Sequence, residues 1–111
     1  MTQSRTPRPG RRVRGSTTGR PVMAALDLLG RRWLLRLLWE LRNGPLGARA
    51  LLECCDGLSS SVFYQRLNDM THAGLIEKTS DGTYALTQLG SDLGVALRPL
   101  DGWAKRWANK S

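Results

Sequence analysis

Residues 48–72 read ARALLECCDGLSSSVFYQRLNDMTH, and this stretch decides the fold. Ala48, Leu51, Leu52 and Cys55 recur at helical spacing, so a short helix is expected from Ala48 to Cys55, and Asp56-Gly57 is a turn dipeptide. Ser59 or Ser60 then caps a second helix, because a serine oxygen can accept from an N–H that a helix start leaves without a partner. Along that helix Phe63, Leu67 and Met70 share one face, and Ser60, Ser61, Tyr64, Gln65 and Asn68 share the opposite one. An ordinary solvated face would more often carry Glu and Lys. Helix, tight turn and a second helix with a hydrogen-bonding outer face is what a DNA-reading helix-turn-helix requires.

Working outward, Val22, Ala25, Leu26 and Leu29 form one stripe of a short helix that Pro21 starts and Gly30 stops. A second helix is expected from Arg31 to Asn43. It sets Arg32, Arg36 and Glu40 on a polar line and is otherwise so apolar that most of its sides must be buried. Asn43-Gly44-Pro45 ends it. After Gly74 the period changes to two: Leu75 to Lys78 and Tyr84 to Thr87 flank Ser80-Asp81-Gly82-Thr83, a short β-hairpin. A last helix starts at Thr87 or Gln88 and carries Leu89, Leu93, Leu97, Leu100, Trp103 and Trp107, with a kink or break expected at Pro99 and Gly102. The class is mainly α with a short β-hairpin, in the order of a winged helix-turn-helix.

Asp27-Leu28-Leu29-Gly30-Arg31-Arg32-Trp33 followed by Gly44-Pro45 resembles the opening of the HxlR-type transcriptional regulators, which have a MarR-like DNA-binding fold. Gly57-Leu58-Ser59, Leu67, Met70 and Gly74-Leu75-Ile76-Glu77-Lys78 are similar to that family's recognition helix and first wing strand. Tyr84-Ala85-Leu86-Thr87-Gln88-Leu89-Gly90 resembles its Y-x-L-T-x-x-G segment. The resemblance runs from Pro21 to about Trp107 and implies a dimeric, DNA-binding bacterial regulator without catalytic activity. Three departures stand out. The family often has a Cys just before the Pro that opens helix one, and here that position is Arg20, so thiol sensing of that type is not implied. The wing tip is short and acidic, a poor minor-groove probe. Pro99 falls where the family's helix is uninterrupted.

The chain has 111 residues, 41% hydrophobic and 23% charged, which suits one domain over 21–111. Its 17 Lys and Arg outnumber 9 Asp and Glu, for a net charge of +8 that points to a polyanionic partner. Most of that charge sits in an arm over residues 1–20, where Arg5, Arg8, Arg11, Arg12, Arg14 and Arg20 stand among Gly, Pro, Ser and Thr with no acid. Such a segment buries too little to offset the entropy of ordering, so it is expected to be disordered, and either to add sequence-independent attraction to phosphates or to be a solvated tail, two equal alternatives. Neither a signal peptide nor a bilayer-length apolar run is evident, so a cytoplasmic protein with no membrane partner is expected. Cys54 and Cys55 are adjacent and His72 is the one histidine, which argues against a disulfide framework or a metal site. Cys55 reads first as a buried small hydrophobe, with metal or redox sensing the weaker alternative. No nucleophile-base pair or phosphate loop is present, so no enzyme and no cofactor is expected.

Base-edge contacts to double-stranded DNA are assigned to Ser60, Ser61, Tyr64 and Gln65, since Gln can pair bidentately with adenine and Ser and Tyr can bond bases. DNA backbone contacts fall to Arg66 and Asn68 first, then to Arg32, Arg49 and Lys78, for which an ordinary solvated charge is an equal alternative. The 4 tryptophans exceed what one small core encloses, so Leu93, Leu97, Leu100, Trp103 and Trp107, with help from helix one or two, are read as the interface of a homodimer, the alternative being that they cap the monomer's own core. It would hold two recognition helices roughly 34 Å apart over a pseudo-palindromic operator. The rival is a winged-helix module that docks on protein or RNA without sequence preference. A small-molecule effector, the operator and the direction of regulation stay open.

Overall fold

The computed structural model describes residues 20–110, so all of the Arg-rich arm except Arg20 lies outside the described residues. The order is α1 (Pro21–Leu29), α2 (Leu34–Glu40), α3 (Ala48–Glu53), α4 (Ser60–His72), β1 (Ile76–Lys78), β2 (Tyr84–Leu86) and α5 (Gln88–Lys110). This is a mostly helical winged helix-turn-helix with a two-stranded antiparallel wing. Leu34, Leu37, Leu41, Leu51, Phe63 and Met70 form the centre of one core that draws on four helices.

Three helices depart from their sequence-based outlines. The second is shorter than expected: Arg31 to Trp33 form a turn, with Trp33 in the left-handed region at φ 75°. The turn reverses the chain so tightly that α2 packs back on α1, and the Trp33 ring lies against the core. Tertiary packing here overrides the helical preference of the turn residues. The third helix ends at Glu53, which leaves Cys55 just beyond its end and buried. The last helix runs unbroken through Pro99 and Gly102. The carbonyl that Pro99 deprives of a donor belongs to Val95, which is exposed and can be hydrated instead.

The first helix keeps its bounds but not its buried face. Ala24 and Leu28 enter the core, while Val22 and Leu26 stand 59% and 58% exposed. Its sequence, PVMAALDLL, is apolar nearly all round, so periodicity alone could not choose the inner side.

The wing is pinned at both ends. Ile76 pairs with Leu86 and Lys78 with Tyr84, and Leu46 adds a bridge to Tyr84 through two backbone bonds of 3.0 and 2.8 Å. At its base the Thr87 N–H donates to the Leu75 carbonyl at 3.0 Å, and the Thr87 hydroxyl accepts from the Gly90 N–H at 3.1 Å, capping α5. Gly90 is required there, because a Cβ would sit 2.1 Å from the Leu75 carbonyl oxygen.

Candidate nucleic-acid interface

The site is built on α4. Its N-cap is Ser59, whose hydroxyl accepts from the Val62 N–H at 3.3 Å. Phe63, Leu67 and Met70 anchor the inner face in the core. That packing turns Ser60, Ser61, Tyr64, Gln65 and Asn68 outward, and all five are exposed. Tyr64 lies edge-on to Phe63, with ring centroids 5.0 Å apart, so the core steadies a side chain whose hydroxyl end is free to reach outward.

The outer face of α4 carries no acid. Asp69, the one acidic residue of this helix, is only 9% exposed and points inward. There it is bracketed by two arginines: Arg31 Nη1 at 3.0 Å from one carboxylate oxygen and Arg66 Nη1 at 3.1 Å from the other. Arg66 also donates from Nε to the Arg32 carbonyl at 2.8 Å. Its guanidinium is therefore engaged inside the fold; the i,i+3 spacing offered the pair with Asp69 on the same helix, but the bond to the Arg32 carbonyl lies on a distant turn that spacing could not reveal. Sequence reasoning missed Arg31 because its contact with Asp69 spans distant segments, and missed Asp69 although the i,i+3 spacing from Arg66 was there to signal it.

The remaining cationic candidates sit on different elements. Arg32 is exposed beside the Trp33 ring, and Arg49 is exposed on α3. Lys78 is exposed on β1, with its ammonium 5.7 Å from the Tyr84 ring. Helices α2 and α3 are tied together by Arg36, which pairs with Glu40 at 2.7 Å and donates to the Cys54 carbonyl at 2.8 Å, at the end of α3. The wing tip is rigid: Asp81 accepts from the Thr79 and Thr83 hydroxyls and from the Thr83 N–H. These bonds hold its carboxyl below the ordinary carboxylate value. Cys54 is exposed, whereas burial pushes the Cys55 thiol up and keeps it protonated. Among the described residues no three His, Cys, Asp or Glu side chains cluster as a metal site, and no helix is long and apolar enough to cross a membrane.

Apolar side chains that the core leaves uncovered gather on α1 and α5. Leu93 and Leu97 are half-buried against the chain's own core. Leu100, Trp103 and Trp107 are exposed, with the two indoles stacked 5.6 Å apart. Between α5 and α2 runs an open groove of about 800 Å³, lined by Leu35, Leu38, Trp39, Val95, Leu97 and Leu100 together with Arg42 and Arg98.

Residues 28–111 match the family model described as HxlR-like helix-turn-helix. The HTH-type transcriptional regulator YvaP of Bacillus subtilis (strain 168) is 26% identical over 93 residues, covering 78% of this chain and 86% of that protein. A transcriptional regulator of the MarR family from Enterococcus faecalis V583 has a similar structure, with a TM-score of 0.73 at 27% identity over 90% of this chain and 96% of that one. Quinone-bound YodB from B. subtilis superposes with a TM-score of 0.72 at 25% identity, covering 77% of this chain and 94% of that one. With the family model spanning most of the chain and the helix-turn-helix and wing in place, this protein belongs to the HxlR-like helix-turn-helix family of DNA-binding transcriptional regulators.

Proposed function

We propose that this regulator reads a pseudo-palindromic operator as a homodimer, with α4 of each protomer in a major groove. The observation that carries this reading is the outer face of α4, acid-free and lined with uncharged hydrogen-bonding groups. In this placement Gln65 pairs with an adenine edge, and Ser60, Ser61 and Tyr64 contact neighbouring bases. Arg32, Arg49, Asn68 and Lys78 contact phosphates on either side, and the arm adds sequence-independent attraction. Arg66 is reassigned from phosphate binding to holding α4 in place, because its guanidinium is already engaged. The exposed apolar faces of α1 and α5 meet their twins, and the groove along α2 offers an apolar effector a space of suitable size. Thiol sensing by a Cys ahead of α1 is not part of this reading, since Arg20 stands there.

Selection from a randomised duplex pool with the full chain tests the proposal. The wild type is expected to enrich a two-fold related sequence. Gln65→Ala should bind random duplex as before and lose about tenfold on the selected site, the cost of one bidentate base contact. A wild-type chain that enriches nothing, or binds RNA and random DNA equally well, would support the rival interaction module instead.

A further inference from the structure

We infer that Asp69, Arg66 and Arg31 are positioning residues that hang the recognition helix from the turn behind α1 and so set the half-site spacing the dimer accepts. This inference rests on the dimeric DNA-reading proposal above. Asp69 is the buried charged residue on α4, and its two carboxylate oxygens are bonded separately, to Arg31 at 3.0 Å and to Arg66 at 3.1 Å. Arg31 lies two residues beyond the end of α1, in a turn closed by Arg31 N–H to Leu28 carbonyl and Leu34 N–H to Arg31 carbonyl bonds of 3.1 and 3.2 Å. Arg66 grips the same turn from the other side, at the Arg32 carbonyl.

The turn itself is unusual. Trp33 adopts a left-handed backbone that bulky residues avoid, at φ 75°, and its ring is held against the core. That reversal lets the Arg31 side chain reach Asp69 and aims the Arg32 carbonyl at Arg66. Two charge-assisted bonds to one carboxylate and a third to the backbone fix a rigid body in both distance and angle, which apolar packing does less sharply. At one end of this strut α1 presents Val22 and Leu26 to a twin. At the other α4 presents its bases-facing side chains to DNA. On the α1 side of the dimer, the separation and tilt of the two recognition helices therefore depend on these three side chains in addition to the core contacts of Phe63, Leu67 and Met70.

The test measures full-length chain on duplexes that carry two selected half-sites at varied separation. One added base pair moves a half-site by about 3.4 Å and turns it by about a tenth of a turn, so a rigid dimer discriminates sharply. The wild type is expected to favour its best spacing about tenfold over neighbours one base pair away. Asp69→Asn, nearly isosteric, should keep its preference for the half-site sequence while that spacing ratio falls to about twofold. A folded Asp69→Asn protein with an unchanged spacing ratio, or one that loses affinity equally at every spacing, overturns the inference. If circular dichroism shows this variant unfolded, Arg31→Gln decides by the same reading, since it leaves the Arg66–Asp69 pair intact. Failure of the wild type to select any half-site defeats the DNA-reading proposal and is distinguished in that way.

Discussion

At Asp81 one carboxylate organises the whole wing tip, accepting from two threonine hydroxyls and one N–H. All three bonds favour the charged form, so its folded value lies below that of the unfolded chain. The stabilisation is complete above the ordinary carboxylate range near 3.9 and is lost as pH falls through the lower folded value. An NMR titration of the Thr83 amide should report a midpoint below that range, and Asp81→Asn should abolish the transition. Other single residues carry meaning of a kind the sequence showed only in part. The polar face of α4 was legible from spacing, because a helical period sorts Phe63 from Gln65 without knowledge of the rest of the chain. The opposed fates of Arg66 and Arg32 were not, since both are arginines in helical sequence and only the turn at Trp33 decides which one reaches inward.

Among the elements, α5 was the hardest to foresee. Pro99 and Gly102 argued for a kink or break, yet the helix continues to Lys110, because Leu93 and Leu97 anchor its first half on the core and the carbonyl orphaned by Pro99 belongs to Val95, an exposed residue. Its entrance depends on Gly90. Gly90→Ala should lower stability by about 2 kcal/mol or more, since backbone must move to admit the methyl group, with a fall in Tm of about 10 °C. Gly94→Ala in the same helix meets nothing within 4 Å and should be neutral or raise stability by up to about 1 kcal/mol. Thermal unfolding followed by circular dichroism separates the two. For α1 the existence and bounds were legible from Pro21 and Gly30, but its buried side was not, because an apolar surface nearly all round has no preferred face until neighbours are present.

For the whole molecule, the apolar residues that the single core cannot enclose are concentrated on two helices, at Val22 and Leu26 of α1 and at Leu100, Trp103 and Trp107 of α5. Exposed side chains of that size, gathered on so small a protein, mark an interaction surface. The proposed dimer predicts that Trp103→Ser with Trp107→Ser will leave helix content unchanged. Sedimentation should then shift from dimer to monomer at micromolar concentration, and affinity for the two-half-site operator should drop at least tenfold. A wild-type chain that sediments as a stable monomer would remove the dimer. Charge is distributed differently from apolar surface: most of the +8 lies in the arm, and the domain that carries α4 is near balance. The proposed reading thus assigns affinity for polyanions and recognition of sequence to different parts of one chain.

The amino-acid sequence by itself determined the order of elements, the helix-turn-helix and its polar outer face, the hairpin and the family. These depend on local period, turn dipeptides and caps, which are properties of neighbouring residues. Only the tertiary structure decided which side of α1 is buried, where α2 begins, that α5 survives its proline, and that Asp69 joins α4 to the turn behind α1. Each of these is a competition between a local preference and contacts made across the fold, as between Arg31 and Asp69, and such contacts exist only once distant segments have been brought together.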